Sequence, residues 1–139
     1  MKTANPTSVL LVDASVWIAA FDRDDRFHDA ARALVDDTDR QIAALDLTHY
    51  EVANAMMRRH GAVPPVEAAI GAVWSGCVGR VQAVDPGLLT VATKLALEHH
   101  LTAYDAAYVA AARLNGWTLV SLHVADLVSS DLAVLPEDV

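Results

Sequence analysis

Short apolar runs alternate along this chain with longer stretches of helical periodicity, and few folds accept that pattern. The first run, Val9-Leu10-Leu11-Val12, carries no polar residue on either side of a pleat, as a strand buried on both faces of a parallel sheet requires. Residues 41–45, 81–84 and 117–121 read as further strands, and 133–135 as a weak last one. Between them, Phe27, Ala30, Ala31, Leu34 and Val35 recur at i, i+3, i+4, i+7 and i+8, which predicts an amphipathic helix beginning near Asp25. Asp46 is placed to cap a helix that stops at Gly61, and Pro64-Pro65 opens another that ends between Gly76 and Gly79. Asp85-Pro86 starts a helix through His99, Thr102 caps one ending at Asn115-Gly116, and a brief helix is predicted over 124–128. The expected fold is α/β, a central parallel sheet of four to five strands flanked by helices.

At 139 residues and 54% hydrophobic composition the chain is expected to form a single domain over 1–139, its core needing neither disulfide nor structural metal; only 1–7 is expected to be disordered. The lone cysteine, Cys77, lies in an apolar stretch and reads as a small core residue. The first apolar run is cut short by Asp13 with no cleavage pattern after it, and the charge-free window 68–79 is too short to cross a bilayer, so a cytoplasmic protein is expected. A formal net charge of -8 argues against broad, sequence-independent attraction to nucleic acid. A polyanionic substrate fits only if metal ions neutralise an acidic pocket and some of Arg23, Arg26, Arg58, Arg59, Arg80 and Arg113 sit around its mouth.

Such a pocket has candidates. Asp13 closes the first apolar run, Glu51 lies in Tyr50-Glu-Val-Ala-Asn-Ala55, and Asp105 lies in Thr102-Ala-Tyr-Asp-Ala-Ala-Tyr108. A carboxylate in an apolar setting is costly without a positive partner, and three of them point to a shared divalent cation. Sites in open parallel sheets form beyond the carboxyl ends of the strands, where these segments can meet. Each acid also has a plain structural use. Asp13 can cap a helix over 14–20, Asp105 can serve the first turn after Thr102, and Glu51 can be a solvated helix glutamate paired with Arg58.

The segments Leu11-Val-Asp-Ala-Ser-Val-Trp17, Tyr50-Glu-Val-Ala-Asn-Ala55 and Leu101-Thr-Ala-Tyr-Asp-Ala-Ala-Tyr-Val-Ala110 together resemble the PIN domains, and among them the VapC-type toxin ribonucleases of prokaryotic toxin–antitoxin pairs. The likeness spans nearly the whole chain. It implies a PIN fold, Mg²⁺- or Mn²⁺-dependent cleavage of RNA to 5′-phosphate and 3′-hydroxyl ends, a homodimer, and a VapB-type antitoxin as partner. By the same resemblance Asp13, Glu51 and Asp105 match the metal-site acids. Asp13 and Asp105 would be direct ligands, and Glu51 would act through water, at a second ion or as a base. Ser15 matches a small hydroxyl residue near the first acid, and Asn54 an asparagine after the second.

One departure stands out: where such proteins carry a fourth acid shortly after the last main strand, this chain reads Leu119-Val-Ser-Leu-His123. Asp126 is taken as the fourth acid, reaching back from the short helix, with Ser121 and His123 as supporting residues. His123 in its place, or a site of three acids, are the other arrangements. Two rival functions remain open. A Mg²⁺-dependent phosphatase with Asp13 as nucleophile lacks the second aspartate of an Asp-x-Asp pair. A PIN scaffold that binds RNA or a partner and cuts weakly is compatible with the net charge.

Overall fold

The computed structural model describes residues 8–139, so the expectation of disorder over 1–7 lies outside the described residues. The elements run β1 (Leu10–Val12), α1 (Ala14–Ala20), α2 (His28–Asp36), β2 (Ile42–Leu45), α3 (Asp46–His60), α4 (Val63–Gly76), β3 (Val81–Gln82), α5 (Pro86–His99), α6 (Ala103–Asn115) and β4 (Thr118–Val120). A π-helical turn (Val124–Val128) and a 3₁₀ turn (Pro136–Asp138) follow. The strands form one parallel sheet in the order β3-β2-β1-β4, with Leu10 opposite both Ile42 and Thr118.

Successive strand residues alternate between two cores, because side chains of a pleated strand leave on opposite faces. Leu10, Val12, Ile42, Ala44 and Val120 pack against α1 to α4 through Trp17, Leu34, Val52, Met56 and Val73. Leu11, Ala43, Leu45 and Leu119 pack against α5 and α6 through Leu88, Leu95, Tyr108 and Val109. Every residue of α6 from Asp105 to Ala112 is buried, and its alanines let sheet and α5 close on it from both sides. This places Asp105 against the sheet.

Several predicted boundaries shift, each for a local reason. The helix expected from Asp25 begins at His28, because the Asp25 carboxylate accepts the Phe27 N–H at 2.8 Å and turns the chain first. Asp46 is the first residue of α3 and does not cap it. Its carboxylate accepts the Val84 N–H at 3.2 Å, while the Thr48 hydroxyl accepts the Leu45 N–H at 3.1 Å. The strand expected over 81–84 contracts to Val81–Gln82, an edge strand paired on one side. The weak strand over 133–135 reduces to a single parallel bridge between Val120 and Val134.

The caps at Asp85 and Thr102 hold as expected, accepting the N–H of Leu88 and Asp105 at 2.8 and 3.1 Å. Gly61 and Gly116 stop their helices in the left-handed conformation that glycine adopts without strain. Among the described residues no helix is long and apolar enough to cross a membrane. Cys77 is fully buried, and burial pushes its thiol up to about 12, so it stays protonated as a core residue.

Candidate acidic site

The sheet order turns at β1: the chain progresses through β2 and β3 on one side and returns to β4 on the other. At such a switch the loops leaving adjacent strands diverge and leave a crevice at their carboxyl ends. Asp13 stands there, its N–H bonded to the Val120 carbonyl at 3.1 Å.

Asp13 is 2% exposed. It caps α1, accepting the Val16 N–H at 3.3 Å on Oδ1, and the same oxygen accepts the Ser15 hydroxyl. Ser15 Oγ in turn accepts the Leu122 N–H at 3.0 Å, which ties the loop after β4 to the start of α1. Ser121 is fully buried and accepts the His123 N–H at 3.0 Å, and its hydroxyl pulls the Asp13 pKa downward. Burial nevertheless dominates and raises the Asp13 pKa above its ordinary value, against the pull of these donors and of His123.

Asp105, 8% exposed, sits in the first turn of α6. Its Oδ1 pairs with His123 Nδ1 at 3.0 Å. The imidazole, about half exposed, is pushed up to about 9, chiefly by that bond and then by the nearby acids. Glu51, half-buried on α3, accepts the Tyr108 hydroxyl at 2.9 Å; its pKa is raised by burial first and then by the charges of Asp13 and Asp105. Three carboxylates and one imidazole thus share a field, although they come from β1, α3, α6 and the loop after β4.

The remaining predicted residues are less closely placed. Asp126 is exposed on the π-helical turn, and its described link to the cluster is its charge acting on His123, the residue that occupies the position beside Asp105. Asn54 is exposed on α3, one turn beyond Glu51. Of the arginines, Arg59 pairs with Asp22 at 3.0 Å, Arg80 donates to the Ile42 carbonyl at 2.9 Å and Arg26 lies over the Phe27 ring. Sequence reasoning missed Tyr108, which donates to Glu51, and Thr48, buried behind that tyrosine. A tyrosine set in the alanine- and valine-rich run 106–112 was the available signal, since a buried phenol needs a partner.

The donor set is oxygen-rich, as a hard divalent cation requires. Among the described residues no group of three or more His, Cys, Asp or Glu side chains is gathered closely enough to hold a metal ion. An ion such as Mg²⁺ keeps most of its waters and takes one or two direct carboxylates, so an open arrangement fits it; burial raises the pKa of Asp13 and, ahead of the charges of Asp13 and Asp105, that of Glu51, a cost that a bound cation would offset.

In the metal-free protein these acids couple stability to pH. Acids with native pKa values above their unfolded ones bind extra protons in the native state, so Asp13 and Glu51 remove stability as pH rises through that interval. The His123 contribution is complete below its ordinary 6.5 and fades as pH rises through about 9. Both run the same way. The cluster's contribution to Tm should therefore fall from mildly acid to alkaline pH, measured against Asp13→Asn, while the Tm increment from Mn²⁺ should grow as the acids ionise. A Mn²⁺ increment that is flat with pH would contradict the coupling.

A family model for the PIN domain matches residues 10–123, a span that contains Asp13, Glu51 and Asp105, ends on His123 and stops short of Asp126. Ribonuclease VapC3 of Pyrobaculum aerophilum is 35% identical over 117 residues, covering 81% of this chain and 88% of that protein. Among solved structures, the chain is similar to VapC20 of Mycobacterium tuberculosis, described as a sarcin-ricin loop cleaving toxin, at 25% identity and TM-score 0.67, over 78% of this chain and 85% of that one. It also shares its fold with a chain of a toxin–antitoxin complex from Klebsiella pneumoniae, at 20% identity and TM-score 0.72, over 94% and 99% of the two chains.

Proposed function

The chain belongs to the PIN domain family, among its VapC-type members, and from that premise we propose that it is a metal-dependent endoribonuclease, the toxin of a toxin–antitoxin pair. The observation that carries the reading is the convergence of Asp13, Glu51 and Asp105 at the switch point of the sheet, buried or half-buried and coupled in charge. Asp13 and Asp105 are proposed as the residues that hold a Mg²⁺ or Mn²⁺ ion directly, and Glu51 through water. When bound, the cation supplies positive charge against the scissile phosphate and makes water easier to deprotonate.

The chain's own residues have the following proposed parts. Glu51, whose raised pKa brings it closer to neutrality than an ordinary carboxylate, takes a proton from the attacking water. Ser15, Ser121 and the Val16 N–H hold Asp13, and His123 holds Asp105, so that the acids do not have to reorganise as charge develops on the phosphate. Water's oxygen joins phosphorus, the bond from phosphorus to the 3′-oxygen breaks, and that oxygen leaves with a proton. The ends are a 5′-phosphate and a 3′-hydroxyl. The same reading assigns a VapB-type antitoxin as partner and a homodimer as the working assembly, with Asp126 and Asn54 as rim residues.

Incubating the purified protein with a mixed RNA pool, with and without Mg²⁺ or Mn²⁺, and mapping fragment ends tests this. Metal-dependent fragments with 5′-phosphates are expected. RNA retention without cleavage would turn the reading to a binding module, and 2′,3′-cyclic phosphate ends would overturn the water-attack chemistry.

A further inference from the structure

Glu51 is reached by a hydrogen-bond chain whose direction is determined at every link. The Leu45 N–H donates to Thr48 Oγ1 at 3.1 Å, Thr48 Oγ1 lies 2.8 Å from the Tyr108 hydroxyl, and that hydroxyl donates to Glu51 Oε1 at 2.9 Å. An ionised carboxylate only accepts, so the phenol proton is committed to Glu51 and the threonine proton must go to the phenol oxygen. The chain starts from a backbone amide at the end of β2, which cannot reverse. Thr48 is fully buried and Tyr108 2% exposed, so water does not compete for either hydroxyl. Tyr108 belongs to the core on the α5–α6 face of the sheet, whereas the core on the opposite face includes Val52 of α3. The bond to Glu51 therefore links the two helical layers above the strand ends.

We propose that Tyr108, oriented by Thr48, is a positioning residue that pins one oxygen of Glu51 and leaves the other for the proton transfer and cation contact assigned to that acid. The proposal rests on the ribonuclease reading of the site. Oε2 has no protein donor among the described residues, which is what a carboxylate with work on its free oxygen needs. Packing alone would be served as well by phenylalanine, and the hydroxyl is the part that packing does not explain.

The test compares wild type, Tyr108→Phe, Glu51→Gln and the double variant, with Mn²⁺ affinity read by calorimetry and RNA cleavage by initial rates. Tyr108→Phe removes one oxygen from a buried ring. It should lower kcat at unchanged KM and weaken Mn²⁺ binding, each by roughly 10–100-fold, the usual consequence of losing a residue that orients a metal-site acid. The Mn²⁺ loss should vanish once Glu51 is glutamine. Thr48→Ser should retain wild-type values and Thr48→Val should lose them. Equal losses with and without Glu51, or wild-type kcat in Tyr108→Phe, would overturn the proposal. A wild-type arm without metal binding or cleavage fails the ribonuclease reading instead. The Glu51 carboxyl titration by carbon-13 NMR still tests the link in that case: Tyr108→Phe should raise it, and no change would sink the hydrogen-bond role.

Discussion

Asp13→Asn is expected to lower RNA cleavage by about 10²–10³-fold, the scale of losing a group that stabilises a developing charge, and to leave the metal-free protein at least as stable as wild type. The two effects have opposite signs for one reason. Asp13 is 2% exposed and its carboxyl is held above its ordinary pKa by burial, so its charge burdens the metal-free fold. Asparagine removes that charge but keeps a side-chain oxygen for the Val16 N–H and the Ser15 hydroxyl, and it is itself a favoured helix cap. Thermal melts with and without Mn²⁺ should show the variant's metal-free Tm equal or raised and its Mn²⁺ increment lost. A variant that unfolds, or one that cleaves as wild type does, would mean that Asp13 serves α1 as a cap and little else.

The largest expected loss of stability comes from Trp17→Ala, about 3–5 kcal/mol, the range for truncating a large buried aromatic, against a total stability of roughly 5–15 kcal/mol for a domain. Trp17 is 2% exposed, stacks on Phe21 with ring centroids 6.2 Å apart, and comes within 3.2 Å of where a Cβ on Gly76 would stand. Glycine at the end of α4 is thus what lets the indole lie between that helix and Ile42. The indole Nε1 is buried with no hydrogen-bond partner among the described residues. Trp17→Phe, which gives up area but also removes an orphaned donor that costs about 1–3 kcal/mol, should therefore be much the milder change. Urea unfolding would distinguish the two: similar losses in both variants would mean that the indole nitrogen is satisfied in solution. Because α1 begins immediately after Asp13, loosening this helix should also reduce cleavage.

The acids were legible as a set because each lies in an apolar neighbourhood that a solvated carboxylate does not need, and the strand-end position of Asp13 was legible from the run that it closes. Their partners were not. Glu51 and Tyr108 are 57 residues apart, and the Ser15 hydroxyl takes an N–H 107 residues away, distances at which local pattern carries no information about contact. Asp46 shows the same limit at short range. Its residue type suits a cap, yet the Val84 N–H, brought alongside by β3, claims its carboxylate, and Leu45 takes the cap position with its N–H bonded to Thr48. The position after β4 shows the limit again: the π-helical turn leaves Asp126 exposed, while the imidazole of His123, beside Ser121, meets Asp105.

By itself the sequence determined the order of strands and helices, the parallel sheet buried on both faces and most helix stops. These follow from the two burial periods and from capping chemistry, which act over a few residues. Only the tertiary structure decided which oxygen of each acid is held, that Tyr108 and Thr48 stand behind Glu51, and that His123 sits against Asp105. Hydrogen-bond direction and burial depend on the packing of helices onto opposite faces of the sheet, and that packing is settled by the whole fold rather than by any one segment.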